Sequence, residues 1–352
     1  MNFRILSLLS CITLLAACQR PLVEPPEPQG PWNKLDTETQ QVILNTHATP
    51  FELYAITEGE FLRFDKRGEL EEDRSLDKLF GTKGTPALSD NVLSRVKIGA
   101  NAEQILEFHL ARLGADVVRF TPDDFLLPDD NTILFNLPSG FPFGAFDEDN
   151  RRFLMPVRVF GSPKDHIAFL LFDVRQNATF TQFQSVELIA RTDLLELGSA
   201  ENIVTSVRCL NGNFYVTTQA GAWRITPDGT TTKIFSQWML DAFETRGNLY
   251  VTGFNSYEFH VSFDDGLTWE RVEEPSDLRY VRVMPNDVTF AQATRGSSFG
   301  RSFDLTSVES LVYNDSIPVH DPAKFFGVSL LDDRYYFSAD KCIWWTEELI
   351  TR

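Results

Sequence analysis

Cysteine, histidine and helical periodicity are scarce in this sequence, and no apolar run is long enough to cross a bilayer as a helix. Of four cysteines in 352 residues, Cys11 and Cys18 fall in the first eighteen positions. The other two, Cys209 and Cys342, sit inside strand-like apolar runs, which reads as two buried thiols rather than a disulfide framework. The five histidines, His47, His109, His166, His260 and His320, show no H-E-x-x-H or paired spacing, so the sequence offers no zinc site and no cofactor motif. Positive charge is also short: 32 Lys and Arg stand against 50 Asp and Glu, a formal charge of −18. That balance excludes nucleic acid as a bulk partner and disfavours anionic lipid.

One segment breaks the scarcity of apolar runs. Met1 to Arg4 is a short basic start, Ile5 to Leu15 is apolar, and Leu15-Ala16-Ala17-Cys18 places small residues before a cysteine, the pattern of a secretory cleavage site. A spanning helix needs roughly 20 apolar residues, so this run reads as a signal peptide over 1–17. Leu-Ala-Ala-Cys resembles the bacterial lipobox. The resemblance implies acylation of Cys18 and, because Gln19 and not Asp follows, a place at the outer membrane. Pro21, Pro25, Pro26, Pro28 and Pro31 then favour extended chain without sheet ladders. We read 18–35 as a lipidated, proline-rich tether and 36–352 as the folded domain. Removing Arg4 with the leader gives 31 − 50 = −19 for the mature chain.

The domain is rich in β-branched and aromatic residues, including 30 phenylalanines and eight tyrosines, with turn residues at short intervals. A single stretch, Ala102 to Leu113, offers an apolar stripe at Ile105, Leu106, His109, Leu110 and Leu113 and predicts a helix. Elsewhere a degenerate repeat emerges. A first strand leads to a polar turn at Leu210-Asn211-Gly212-Asn213, Thr245-Arg246-Gly247-Asn248, Met284-Pro285-Asn286-Asp287 and Leu331-Asp332-Asp333-Arg334, and two further strands follow each turn. Taking Phe64, Phe120, Phe172, Ile225, Ser262, Ser302 and Trp344 as equivalent third-strand anchors gives seven units at a spacing near the ~40–50 residues of propeller blades.

Within the fifth unit, Ser262-Phe263-Asp264-Asp265-Gly266-Leu267-Thr268-Trp269 fits S-x-D-x-G-x-T-W and resembles the Asp-box of sialidase and BNR-repeat β-propellers. The resemblance implies an all-β propeller of seven four-stranded blades, with the box (Ser262, Asp264, Gly266, Thr268, Trp269) on a turn between third and fourth strands. A two-sheet sandwich or a six-bladed ring is the alternative. The last unit has no room for a fourth strand, and Gln40 to Asn45 is expected to supply it and close the ring.

Catalytic residues are not assigned. The resemblance to sialidases would demand several boxes, three arginines and a Tyr–Glu pair. Only one intact box is present, Arg301 to Thr306 is a decayed copy, and Phe3-Arg4-Ile5 lies in the leader. Gly296-Ser297-Ser298-Phe299-Gly300 matches G-x-S-x-G but joins two expected strands with no helix after it. The acidic loops Asp147 to Asn150 and Asp129 to Asn131 lack EF-hand order and read as solvated turns.

Four expected first strands share a basic residue between apolar ones: Val96-Lys97-Ile98, Val157-Arg158-Val159, Val207-Arg208-Cys209 and Val281-Arg282-Val283. First strands line a propeller's channel, so Lys97, Arg158, Arg208 and Arg282 are expected to form a basic ring for an anion such as a sugar acid, a phosphate or a carboxylate. Pairing of each cation with a neighbouring acid is the other reading. Phe141-Pro142-Phe143-Gly144-Ala145-Phe146 is either an exposed contact loop or a plug between blades. The functional expectation is a binding or assembly module held at the membrane by its lipid, with an envelope protein or acidic glycan as partner. The alternative is a glycosidase or lyase acting on acidic sugars.

Overall fold

The computed structural model describes residues 33–37, 39–76, 82–111, 116–135, 142–161, 163–195, 203–253, 259–272, 278–286, 289–293, 299–302, 308–310, 325–339 and 341–347. Cys18 and its flanks, Ser297 and Ser298, and residues 303–306 of the decayed box lie outside them.

These residues form seven antiparallel sheets. Blade 1 comprises Ile43–Ala48, Leu53–Thr57, Glu60–Phe64 and Leu70–Ser75, and blade 2 comprises Thr82–Leu88, Val92–Ile98, Gln104–Leu110 and Val117–Phe120. Blade 3 has an interrupted first strand, Asp130–Phe135 and Ala145–Asp147, both paired with Arg152–Gly161, followed by His166–Gln176 and Phe183–Leu194. Blade 4 is Val204–Leu210, Asn213–Thr218, Gly221–Ile225 and Thr231–Phe235. Blade 5 is Met239–Thr245, Asn248–Gly253, Phe259–Ser262 and Glu270–Val272. Blade 6 is Leu278–Val283, Thr289–Ala293, Phe299–Ser302 and Val308–Ser310. Blade 7 is Phe325–Leu331, Arg334–Ala339, Cys342–Thr346 and the strand Asn33–Leu35.

The fold is a β-propeller, and its ring is traceable contact by contact. First strands of blades 7 and 1, 1 and 2, 4 and 5, and 5 and 6 lie side by side, and Ala145–Asp147 of blade 3 touches the first strands of blades 2 and 4. Blade 6 joins blade 7 where Asn286 Nδ2 donates to Tyr335 Oη at 2.8 Å. Turns after first and third strands gather at one end of the ring. There Arg224 Nη1 donates to Asp265 O of the next blade at 2.8 Å, and Arg334 Nη1 donates to Arg67 O at 3.4 Å.

Local chemistry explains the hairpins. Asn211 (φ 49°) and Gly212 (φ 69°), Arg246 (53°) and Gly247 (75°), and Asp332 (51°) and Asp333 (62°) all hold the left-handed pair of a type I′ turn, whose twist matches the strands it joins. The core is not one mass but a set of apolar layers between blades. The largest joins blades 2 and 3 through Phe108, Phe125, Phe135, Phe153 and Phe172, and another joins blades 3 and 4 around Phe169 and Trp223.

Four expectations need correction. Gln104–Leu110 is a strand, not a helix: Leu106 and Phe108 face the apolar layer while Glu107 and His109 face a buried ionic cluster, so both faces are buried and the alternation is hidden by their different chemistry. It displaces Val118 to Phe120 to the fourth position in blade 2. The ring is closed by Asn33–Leu35, pairing with Ile343, Trp344 and Trp345, while Ile43–Ala48 is the innermost strand of blade 1. The fold therefore begins inside the stretch read as tether. Phe143 is wholly buried and its amide donates to Thr85 O at 3.0 Å, so this part of the 141–146 segment plugs the joint of blades 2 and 3.

Candidate functional site

Along the axis, the joints of blades 7 and 1, 1 and 2, 4 and 5, and 5 and 6 are stitched by polar groups beside a β-bulge. In blades 1, 4, 5, 6 and 7 the first strand slips register against the second two residues after it starts, at Ile43/Asn45, Val204/Ser206, Met239/Asp241, Leu278/Tyr280 and Phe325/Gly327. A bulge turns side chains and carbonyls out of the ladder, and here they reach the next blade. Asn45 Nδ2 donates to Pro86 O at 2.9 Å, Thr205 Oγ1 to Met239 O at 2.7 Å, and Ser329 Oγ to Thr46 Oγ1 at 3.2 Å.

Arg208 and Asp241 make the strongest of these stitches. Asp241 is wholly buried, and Arg208 grips it with two bonds of 3.1 Å, from Nε and Nη2, while Nη2 also donates to Val281 O at 3.2 Å. The carboxylate takes two further amides, Ala242 N at 3.0 Å and Val281 N at 3.1 Å. One forked ion pair thereby ties blades 4, 5 and 6, and its bidentate geometry fixes the guanidinium plane.

Two cavities adjoin this pair. One of about 220 Å³ lies on the axis and is lined by residues of six blades, among them Asn45, Thr46, His47, Arg208, Arg282 and Ser329. The second, about 410 Å³, opens between the first strands of blades 4, 5 and 6 and shares Arg208 and Arg282 with the first. Both arginines come from first strands, and the structure brings them to one space. No tyrosine is among the described residues that line either cavity. At the rim, His47 Nε2 lies 2.8 Å from Asp90 Oδ1.

Lys97 and Arg158 do not join them. Both stand on second strands, because Thr82–Leu88 and Asp130–Phe135 take the first positions of blades 2 and 3. A basic residue between β-branched neighbours fits either strand equally well, so the motif could not separate them. Lys97 Nζ sits 3.2 Å from Glu107, a fully buried carboxylate that also receives Arg95 and Arg119 at 2.8 Å and His109 at 3.1 Å. Burial works to raise the Glu107 pKa, but the His109 hydrogen bond, the Arg95 charge and the Arg119 bond prevail and hold it well below the usual range. Arg158 lines neither cavity, and its Nε is buried without a hydrogen-bond partner among the described residues.

Asp241 was missed by sequence reasoning. Its signal was there: a lone carboxylate in the apolar run Met239-Leu240-Asp241-Ala242-Phe243, where burial demands a cation.

The Ser262–Trp269 turn joins the third and fourth strands of blade 5. Ser262 Oγ accepts the Gly266 amide at 2.7 Å, and Asp264 Oδ1 accepts the amides of Leu267 and Thr268 at 3.1 and 2.8 Å. Thr268 Oγ1 donates to Asp264 Oδ2 at 2.7 Å, and Trp269 Nε1 donates to Gly266 O at 3.2 Å. Bonds from Thr268, side chain then amide, pull the Asp264 pKa down to about 2. These bonds lock the turn and leave the carboxylate committed.

The other candidate groups are likewise occupied. Asp147 accepts the amide and side chain of Asn150, and Asp130 pairs with Arg191 at 2.5 Å. Cys209 and Cys342 are free thiols in blades 4 and 7, and burial pushes Cys209 up to about 12.

No family model matches the chain, and no curated protein matches its sequence. Among solved structures it is similar to virginiamycin B lyase from Staphylococcus aureus (TM-score 0.56, 10% identity, 90% of this chain and 98% of that one). It is also similar to the Neurospora crassa Pan2 WD40 domain (TM-score 0.51, 10% identity, 93% and 99%). A third likeness is to PorZ, a surface component of the Porphyromonas gingivalis type-IX secretion system (TM-score 0.48, 13% identity, 92% of this chain), of whose length the chain spans 39%. At such identities the first two likenesses speak for the fold, a β-propeller, and for nothing finer.

Proposed function

We propose that this chain is an outer-membrane lipoprotein, anchored through Cys18, whose propeller is a binding and assembly module for an envelope protein or an acidic glycan, and that the ligand's anionic group is received at the axis by Arg208 and Arg282. The anchor rests on the leader, Leu15-Ala16-Ala17-Cys18 and the proline-rich segment behind it. A single observation carries the binding reading: arginines from blades 4 and 6 share one cavity with His47 of blade 1 and Ser329 of blade 7. A volume of about 220 Å³ suits a carboxylate, a phosphate or one acidic side chain rather than a large ligand. Arg208 is the oriented member, fixed by Asp241, and Arg282 lines both cavities beside it. In a mature chain of charge 31 − 50 = −19 the two form a local cationic focus. The Asp-box turn serves as a structural clip in this reading, in keeping with its resemblance to BNR-repeat propellers.

Thermal-shift titration with glucuronate and with inorganic phosphate tests the site. Wild type is expected to be stabilised by at least one of them, Arg282→Ala to lose that stabilisation, and Arg282→Lys to recover only part of it because lysine lacks the planar fork. An unchanged shift in Arg282→Ala sinks the site. Metabolic labelling with a palmitate analogue, lost in Cys18→Ser, tests the anchor, and crosslinked co-purification from native membranes identifies the partner.

A further inference from the structure

Among the described residues, the three most exposed large apolar side chains, Leu267, Phe263 and Phe51, share one end of the ring. Phe51 (62% exposed) caps the turn after the first strand of blade 1, Phe180 (39%) the turn after the third strand of blade 3, and Phe263 (64%) and Leu267 (72%) the turn after the third strand of blade 5. All four therefore project from the same end of the ring, on three blades spaced around it. The described chain begins at that end too, since Asn33 pairs with Trp345 beside the outgoing end of the third strand of blade 7.

Each of these turns is braced by side-chain hydrogen bonds to its backbone amides. Thr49 Oγ1 accepts the amides of Phe51 and Glu52 at 3.1 and 3.0 Å, and Asn177 Oδ1 accepts the amide of Thr181 at 2.8 Å. Asp264 and Ser262 clamp the third turn as described above. Phe180 is held at φ 54°, a conformation a bulky residue adopts only when its surroundings impose it. A side chain presented by a locked turn loses little entropy when it docks. Lys66 Nζ stands 5.4 Å over the Phe51 ring, an aromatic body with a cationic head beside it, as suits an interface between hydrocarbon and phosphate.

We infer that this face rests on the bilayer surface, with Phe51, Phe180, Phe263 and Leu267 entering the headgroup region. The inference rests on the lipid-anchor reading in one respect: the anchor makes the bilayer the surface at hand. Gln19 to Trp32, fourteen residues, connect Cys18 to Asn33, which lies at this end. Three separated apolar points define a plane and fit a flat, deformable surface better than a compact protein epitope, whose contacts cluster. The acidic chain favours a zwitterionic bilayer over an anionic one. The channel end opposite is left facing outward.

Vesicle co-sedimentation of the mature full chain with Cys18→Ser, on phosphatidylcholine/phosphatidylethanolamine liposomes, tests the face without the acyl chains. Serine at all four positions is expected to weaken binding at least tenfold with an unchanged melting temperature. Leu127→Ser with Leu195→Ser and Ile203→Ser, exposed positions in connections at the other end, should bind as wild type does. Equal binding of the two variants, a loss confined to the second, or no measurable binding by the parent overturns the inference. Failed palmitate labelling of Cys18 would remove the anchor reading alone, because the sedimentation result still decides the face.

Discussion

Blades 4 to 6 and blades 2 to 3 solve the same joining problem with opposite chemistry. At the first joint the strands are held by hydroxyls, carbonyls and the Arg208–Asp241 pair, and two cavities open beside them. At the second, Phe153 packs against Phe108, Phe143, Phe146 and Phe172 with ring centroids 4.5 to 6.2 Å apart. Charge is present there as well, but Glu107 and its cations lie within blade 2 rather than between blades. An aromatic joint fills its space and leaves nothing for a ligand. A polar joint keeps directional groups oriented at the axis, and desolvation weakens its contribution to stability. The comparison implies that blades 2 and 3 hold the ring while blades 4 to 6 carry the ion pair of the proposed anion site.

The largest effect is expected at the aromatic joint. Phe153→Ala removes a fully buried ring with four aromatic neighbours and should cost about 4 kcal/mol in chemical denaturation. Phe153→Leu should cost far less. A loss below about 1 kcal/mol for the alanine variant would break the assignment of stability to this joint.

Asp241→Ala comes next, at about 3 kcal/mol, because it strands a half-buried guanidinium and two amides. The sharper experiment replaces both partners, Arg208→Met with Asp241→Leu. If the pair serves the site rather than the fold, the double variant should regain most of the stability and lose anion binding. A double variant as unstable as Asp241→Ala would make the pair structural.

Part of this division was legible in the sequence and part was not, for physical reasons. Asn211-Gly212 and Arg246-Gly247 announced their hairpins because type I′ turns demand residues that tolerate positive φ. Arg208 and Arg282 were placed correctly on inner strands, since nothing interrupts the repeats that hold them. Lys97 and Arg158 were misplaced by one strand. The first strand of blade 2 contains Gly84 and Pro86, and that of blade 3 is split by an insertion, so neither reads as a clean alternating run. Glu107 had no reason to look buried until its partners converged from three strands.

That cluster also predicts acid lability. Burial foremost, against the Glu107 bond, lowers the His109 pKa from its ordinary 6.5, so the unfolded chain takes up a proton that the folded chain refuses. Stability is full above pH 6.5 and falls below it, by at most about 1.4 kcal/mol per pH unit for one proton. Glu107, lowered from 4.5, adds a second loss below pH 4.5, as the unfolded carboxyl protonates first. Denaturation midpoints of wild type and His109→Gln, measured from pH 7.5 to 3.5, should diverge below about 6.5 and run in parallel above it. Parallel curves throughout would mean that blade 2 keeps its charges without straining them.

The smallest expected effect lies in the turn that made the sequence readable. Ser262 is buried, and its hydroxyl accepts the Gly266 amide and donates to Asp264 at 2.8 Å. Ser262→Ala should cost about 1 kcal/mol, a small net loss for the two hydrogen bonds of its hydroxyl because Asp264 keeps its other donors, and the amides of Gly266, Leu267 and Thr268 should exchange faster while those of blades 2 and 3 do not change. Because Phe263 and Leu267 ride on this turn, the same variant should weaken vesicle binding slightly without altering anion-induced stabilisation at the axis. A variant that instead disturbed the axis would show that the two ends of the ring are coupled, against the separate joints described for blades 4 to 6.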